Sequence, residues 1–423
     1  MTDPAAKPWL MLWRWHALMG ILCAPVLATL ASTGLIYLYQ PEIDAVLLGI
    51  PRVAAPSASS AGGSLAERHS ANQAQPSRRS ALPASSALPA GSAFPASSAL
   101  PAGSTITEVL VHGGDRCLEV RLKRADGAPA SAFVDPGTGA VVAVIADDAR
   151  LTDWAIRIHR NLLIGTTGRL IAEFAAGWGL LLALSGLIWW WRARRTLMLA
   201  SWHGWIGLAG AAPLLFLTLS ALPWTEVWGT IHNRLVAALD GQSGTPSWMH
   251  RPKSISGLPS SLDYVGAMAK AQELGLPPPF AIRAPRTADG TWRLSTPMGH
   301  PPESTRTIWL DTGDGRLVDE RSPADRGRFA TPAAYGVSIH MGRYFGELNR
   351  LLCALGCVTA VLLAITGSWL AARSGFAALR RGGQPAPWWG VALVLVLLPL
   401  SAIPLLIDRL WPRRKADGIP KTN

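Results

Sequence analysis

Charge is scarce in this chain. Only 16% of its 423 residues are Asp, Glu, Lys or Arg, against 49% hydrophobic, and the mean hydropathy is positive. That balance fits a polytopic membrane protein better than a soluble enzyme. Cysteine is scarce as well. Of four, Cys23, Cys353 and Cys357 lie in apolar runs and Cys117 lies outside them, so no disulfide framework is available. Cys353 and Cys357 share a helix face at four-residue spacing and read as small packing residues rather than a metal pair. No Gly-rich dinucleotide fingerprint, Walker motif, Cys-x-x-Cys or Gly-x-Ser-x-Gly elbow occurs, so the chain shows no nucleotide, flavin or hydrolase site of its own. A basic stripe is missing too. The net charge of +12 comes from residues gathered at the ends of apolar runs or scattered between them, which membrane topology explains without nucleic acid.

What is present, first, is length in the apolar runs. Spanning ~30 Å of hydrocarbon takes about 20 residues, and runs of that size lie near 17–39, 170–191, 204–223, 351–372 and 388–407. The first lacks a convincing small-residue cleavage site and reads as a retained signal anchor. Lys7 and Arg14 precede it, Arg192, Arg194 and Arg195 follow the second, and Arg373, Arg380 and Arg381 follow the fourth. The positive-inside rule therefore puts these regions in the cytoplasm and segments 40–169 and 224–350 outside. The fifth run breaks the pattern, because a further crossing would put Arg409, Arg413, Arg414 and Lys415 outside; it crosses against the rule or lies re-entrant or interfacial. Trp13, Trp15, Trp189, Trp190, Trp191, Trp202, Trp205, Trp224, Trp228, Trp388 and Trp389 fall at expected interfaces, as an aromatic belt requires.

Four near-copies of a hexad, "ALPASSALPAGSAFPASSALPAGS" at 81–104, follow a Ser/Ala/Gly-rich stretch and form a linker too poor in large apolar residues to fold. Longer repeats carry more. "IHRNLLIGTTGRLIAEFAAGWGLLLALSGLIWWWR" from Ile158 aligns without a gap with "IHMGRYFGELNRLLCALGCVTAVLLAITGSWLAAR" from Ile339. His159 matches His340, Gly165 matches Gly346, Arg169 matches Arg350, and Ser185-Gly186 matches Thr366-Gly367. Trp15-His16, Gly20 and Thr33 correspond likewise to Trp202-His203, Gly207 and Ser220, with Pro25 and Pro213 slipping by one. Between these spans, "FVDPGTGAVV" (133–142) and "WLDTGDGRLV" (309–318) share the Asp-x-Gly-x-Gly spacing of a hairpin turn, which suits Asp135 and Asp311 better than a calcium loop. Alternation in "CLEVRLKR" (117–124) and "TRTIWLD" (305–311) predicts short antiparallel strands, and "LDYVGAMAKAQELG" (262–275) predicts an amphipathic helix with no clear counterpart before the first set.

The chain thus reads as a duplication. The expected fold is a mainly α membrane protein: a duplicated four-helix transmembrane bundle plus a fifth hydrophobic segment, with two small α+β outer domains and a pseudo-twofold axis along the membrane normal. The expected divisions are 1–40 (first span), 41–104 (outer stretch and linker), 105–150 (first outer domain), 151–195 (lead-in and second span), 196–228 (third span), 229–335 (second outer domain), 336–375 (lead-in and fourth span) and 376–423 (fifth segment and basic tail).

Duplication gives the histidines their meaning. His16 and His203 fall at the cytoplasmic ends of spans one and three, and His159 and His340 precede spans two and four on the outer side. A lone interfacial histidine is usually a polar anchor. Two repeat-matched pairs instead suit the axial positions of two haem irons held between facing helices. Gly20, Gly207, Gly165 and Gly346 would make room, and Arg14, Arg160, Arg169, Arg343 and Arg350 could meet the propionates. Zinc fits less well, because no pair has the further ligands of a tetrahedral site. His232, in "VWGTIHNRL", has no partner after span one and ranks below the four.

"WRWHALMG" with "STGLIYLYQPEID", "IHRNLLIGTTGRLIAEFAAGWGLLLALSGLIWWW", "WHGWIGL" with "LPWTEVWG", and "IHMGRYFGELNRLL" together resemble the PepSY-associated transmembrane proteins, also called iron-regulated membrane proteins. The resemblance covers nearly everything except the linker and the last segment. It implies that the outer segments are PepSY-like periplasmic domains and that the chain sits in a bacterial inner membrane, N-terminus in the cytoplasm. The best-understood kind in that family are siderophore reductases holding two b-type haems. By resemblance, the iron ligands are His16, His203, His159 and His340. Electrons from a cytoplasmic reductase or membrane quinol would pass to a periplasmic ferric siderophore, whose hard-donor chelator releases iron on reduction to Fe(II). The competing readings are a non-catalytic PepSY membrane protein that binds or regulates periplasmic peptidases, and a haem or siderophore transport component; spans nearly free of charge argue against the latter.

Overall fold

The computed structural model describes residues 7–49, 94–95, 99–113, 116–193, 202–241, 250–256, 261–287 and 289–373. Most of the hexad linker and the whole fifth hydrophobic segment with its basic tail lie outside the described residues.

Three helices are long and apolar enough to cross a membrane: Leu12–Leu38 within α1 (Lys7–Leu38), Gly165–Arg192 within α4 (Gly165–Ala193), and α10 (Gly346–Arg373). They coincide with the first, second and fourth apolar runs. The third run does not form one straight span. It breaks into α5 (Trp202–Ala209) and α6 (Ala211–Ala221), which bend by 63°. Pro213 explains the break, since it has no N–H and its ring crowds the carbonyl four residues back, at Ala209. Gly210 fills the corner, where a Cβ would overlap the Thr359 side chain on α10. Pro25, its near-counterpart, is absorbed within α1 without ending that helix.

α1 packs against α4 and α10, and α6 packs against the same two helices. Met19, Cys23, Ala175 and Trp178 interlock between α1 and α4. Leu38, Cys353 and Cys357 do so between α1 and α10. Cys353 donates its thiol to the Ile339 carbonyl at 3.2 Å, so this pair is packing, as its spacing suggested. Leu22, Leu184, Leu219, Leu355 and Ile365 point outward and exposed, as a lipid-facing surface demands.

Two short helices extend the bundle at its sheet end: α2 (Gln40–Leu48) after α1, and α3 (Leu151–Asn161) before α4. Four strands lie between them: β1 (Thr105–Val111), β2 (Leu118–Lys123), β3 (Pro129–Val134) and β4 (Val141–Ala146). After α6 come α7 (Val227–Asp240), α8 (Tyr264–Glu273), and then β5 (Phe280–Arg283), β6 (Trp292–Ser295), β7 (Thr307–Leu310) and β8 (Leu317–Arg321). α9 (Thr331–His340) leads into α10. Both Asp-x-Gly-x-Gly stretches are hairpin turns. Asp135 N–H bonds the Ala140 carbonyl at 2.9 Å, and Asp311 N–H bonds that of Arg316 at 2.9 Å. The Asp311 carboxylate accepts from Ser254 Oγ and from the backbone N–H of Ile255, Ser256 and Gly313. Burial alone would raise its pKa, but these donors outweigh that and hold it well below the carboxylate range. It is a turn anchor, not a calcium ligand.

The two strand sets are not the separate small domains expected. They form one eight-stranded antiparallel sheet in the order β4-β3-β2-β1-β5-β6-β7-β8, joined where Val109, Leu110 and Val111 pair with Ile282, Ala281 and Phe280. Each set alone would leave β1 or β5 as an open edge, and pairing them removes both edges. One face buries Val109, Val120, Leu122, Ile282 and Leu294 under Ala267, Met268 and Ala271 of α8. The opposite face looks toward the helices. There Arg150, 3% exposed at the head of α3, bonds Glu119 of β2 at 3.0 Å and Asp44 of α2 at 2.7 Å, while Thr152 donates to Asp44 at 2.7 Å.

Candidate functional site

The four repeat-matched histidines are held in the same way. His16 on α1 has its Nδ1 2.9 Å from Ser185 Oγ on α4, and Ser185 gives its own proton to the Leu182 carbonyl at 3.1 Å. His203 on α5 has its Nδ1 2.8 Å from Thr366 Oγ1 on α10, whose proton goes to the Leu362 carbonyl at 2.7 Å. At the sheet end, His159 on α3 has its Nδ1 2.8 Å from the Leu30 carbonyl and 3.4 Å from Thr33 Oγ1 on α1. His340 on α9 has its Nδ1 2.9 Å from Ser220 Oγ on α6, and Ser220 donates to the Leu217 carbonyl at 3.3 Å.

The Leu30 carbonyl only accepts, so Nδ1 of His159 carries the proton and its Nε2 keeps the lone pair. At His16, His203 and His340 the partner is a hydroxyl that also lies within reach of a carbonyl of its own helix, an arrangement that favours the same tautomer. Ligand imidazoles are usually oriented in this way, by a bond from the ring nitrogen that does not bind the metal.

Glycine lets three of the rings lie against the helix that holds them. A Cβ at Gly186 or Gly367 would come within 3.2 Å of Cε1 of His16 or His203, and one at Gly34 within 3.2 Å of Cε1 of His159. The recurring unit is thus a hydroxyl residue followed by glycine: Thr33-Gly34, Ser185-Gly186 and Thr366-Gly367. The fourth, Ser220, is followed by Ala221.

Each anchoring bond lies within one repeat, but the rings meet between repeats. His16 and His203 have ring centres 6.3 Å apart with planes at 87°. His340, outside the spanning helices, is pushed down to about 4 by burial first and by the charge of His159 second. His16 and Thr33, both on α1, mark the two levels; at about 1.5 Å per residue they are roughly 25 Å apart, close to the thickness of a hydrocarbon core.

The glycines expected to make room divide into two kinds. Gly20 and Gly207 meet no atom closer than Leu182 Cδ2 at 3.9 Å and Leu363 Cδ2 at 3.6 Å, so both remain open toward the sites. Gly165 and Gly346 sit at φ +63° and +62°, opening α4 and α10 in a left-handed turn that side chains disfavour. Two of the expected arginines are committed to ion pairs that cross between repeats: Arg169 with Glu226 at 2.6 Å and Arg350 with Glu42 at 2.8 Å. Arg343 donates to the Met298 carbonyl at 2.9 Å. Trp15 stacks on Trp178, centres 6.2 Å apart, so it packs inside the bundle as well as marking its end. His232 lies on α7 with no repeat-matched partner. Among the described residues, no cluster of three or more His, Cys, Asp or Glu could hold a metal ion by itself.

No curated protein matches the chain. The PepSY-associated TM region family matches it across residues 13–373, from Trp13 on α1 to the arginine that ends α10, a stretch that includes all four histidines and the sheet between them. A match of that extent settles membership: the chain belongs to the PepSY-associated TM family of membrane proteins.

Proposed function

We propose that this chain is a duplicated four-helix bundle of the bacterial inner membrane that holds two b-type haems and passes electrons outward to reduce periplasmic ferric siderophores. The carrying observation is the set of four imidazoles, each with Nδ1 in hydrogen-bond contact with a neighbouring helix, arranged as one pair near each end of the spans. His16 and His203 would hold the cytoplasmic haem, and His159 and His340 the periplasmic one, with the sheet outside.

The donor chemistry fits the group. His16 and His203 bring two imidazoles together with ring centres 6.3 Å apart and would hold the group as a pair of nitrogen donors. A tetrahedral metal would need further ligands, and the described residues offer none. Haem held there would supply one-electron transfer. The chain's own contribution is to orient the four imidazoles through Ser185, Thr366, Leu30 with Thr33, and Ser220. With no nucleotide or flavin motif in the sequence, electrons enter from a cytoplasmic reductase or a membrane quinol. Fe(III) accepting one electron becomes Fe(II), for which a hard oxygen chelator has lower affinity.

Protein purified in detergent from haem-replete cells should show two reducible low-spin b-type haems per chain, and anaerobic dithionite-reduced protein should be reoxidised by ferric siderophores. A colourless preparation would overturn the reading.

A further inference from the structure

The sheet face that looks toward the helices carries a row of charge where the two strand sets meet. Successive pairings across the ladder place Arg121 of β2 opposite Glu108 of β1, Arg283 of β5 opposite Arg293 of β6, and Arg293 opposite Trp309 of β7. Glu108 and Arg283 close the gap at the seam with a 2.7 Å ion pair. Three guanidiniums thus gather around Glu108 on one rung, with Glu119 3.5 Å from Arg121 and Asp319 of β8 at the far end beyond Trp309.

That arrangement has a cost the fold does not require. Like charges directly opposite on neighbouring strands destabilise a sheet, yet Arg283 and Arg293 face each other. Glu108, 6% exposed, takes Arg283 closely and Arg121 only at 3.4 Å. Arg293 has a buried Nε with no hydrogen-bond partner among the described residues. Arg121 and Arg283 keep 45% and 40% of their side chains exposed, so their outer N–H groups are reachable. From Arg293 the chain runs through β6 into the loop that Arg343, three residues beyond His340, ties down through the Met298 carbonyl at 2.9 Å. The row is thus joined to the segment that carries the sheet-end histidine.

We infer that Arg283 and Arg293, flanked by Arg121, form a binding site for an anionic ferric chelate, one presenting carboxylate or catecholate oxygens, at the seam of the sheet. The identity of the ligand rests on the reductase reading; the anion site rests on the arginines. Guanidinium forks match such oxygens in paired hydrogen bonds. The bound anion relieves the facing charges of Arg283 and Arg293. The next residue in the row is Trp309, and beyond it stands Asp319 of β8, paired with His250 at 2.6 Å.

The test uses the full chain in phosphatidylcholine nanodiscs and a redox-inert probe, the gallium(III) complex of a tris-catecholate chelator with charge −3, followed by calorimetric titration. Wild-type protein should bind it, more weakly as salt rises, and should prefer it to a neutral gallium(III) trihydroxamate. Arg293→Gln, which leaves no carboxylate unpaired, should weaken binding at least ten-fold, and Arg293→Lys should recover part of the loss. Equal affinities for wild type and Arg293→Gln, or for the charged and neutral probes, would overturn the site. So would loss of probe binding when an anionic lipid is added to the discs, which would assign the row to a lipid headgroup. Reoxidation of dithionite-reduced protein by the neutral ferric trihydroxamate is the separate arm. If it succeeds while the gallium titration fails, the site is wrong and the reductase stands; if no ferric chelate reoxidises the protein, the reductase fails and the titration still decides the anion site.

Discussion

His16 and His203 face each other with ring centres 6.3 Å apart and nearly perpendicular planes, each anchored through Nδ1 to a helix of its own repeat. Their contact therefore joins the two halves of the chain. His16→Ala or His203→Ala should remove one haem per chain and leave the sheet-end haem in place, read from the haem-to-protein ratio and the remaining low-spin band. Full occupancy in the double variant would reject the ligand assignment.

The glycines that support the rings should be as sensitive as the ligands themselves. At Gly186 and Gly367 a Cβ would press within 3.2 Å of Cε1 of His16 or His203. Gly186→Val or Gly367→Val should displace the ring and lower haem retention at that end, whereas Gly34→Val should act at the other end through His159. Ala in place of Val should have a smaller effect, since the ring can retreat a few tenths of an ångström. The outcome that counts against this picture is equal loss at both ends from any one substitution, measured by redox titration resolving the two haems.

The hydroxyls act one step further out. Removing the Nδ1 partner with Ser185→Ala or Thr366→Val leaves the ligand present but less firmly oriented, and losses of such outer partners typically cost about 10–100-fold in metal affinity or activity. Haem should therefore be retained at high occupancy but lost faster to a haem-binding competitor, with a shifted midpoint potential. An unchanged potential and an unchanged transfer rate would show that the hydroxyls only pack.

Much of this was legible in the sequence because duplication repeats the signal. The gapless match of Ile158 onward with Ile339 onward marked His159 with His340, and it also paired Ser185-Gly186 with Thr366-Gly367. What those residues do was not legible, because a hydroxyl–glycine pair acquires its role only when a ring from another helix lies on it. The ion pairs of Arg169 and Arg350 were not legible for a related reason: their partners Glu226 and Glu42 come from the other repeat, and sequence spacing carries no such contact. The joining of β1 to β5 is likewise a long-range pairing, and the bend at Gly210 follows from Pro213, a residue that α1 tolerates in nearly the same place.

Arg150 couples the sheet to the helices. Burial alone would lower its pKa, but Glu119 first, then Asp44 and Asp153, outweigh that and raise it. Removing it with Arg150→Met strands Asp44 as a buried carboxylate without its cation and takes from Glu119 the closest of its cations, which costs about 3–5 kcal/mol. The variant should melt well below wild type in detergent, and limited proteolysis should cut first between the sheet and α3. Haem content at the His16 end should survive at temperatures where the sheet has opened.

The same cluster sets a pH dependence of definite sign. Burial, opposed by Arg150 and aided by Asp147 and Glu119, raises the Asp153 carboxyl from 3.8 to about 6. The folded state thus holds that proton more tightly than the unfolded chain, so the favourable contribution is full below pH 3.8 and is lost as pH rises through about 6. Glu119 behaves in the opposite way. Burial opposes its ionisation, but the His112 bond, Arg121 and Arg150 prevail and hold it well below the usual range, so its contribution is present at neutral pH and lost on acidification. Asp153→Asn, which cannot ionise, should therefore stabilise the protein by roughly 1–3 kcal/mol at about pH 7.5, since a tenfold change in proton affinity corresponds to about 1.4 kcal/mol, and should do little at about pH 4. Thermal unfolding of the two proteins under both conditions measures this, and an equal stabilisation in acid and at neutral pH would mean that Asp153 acts through packing rather than through its proton.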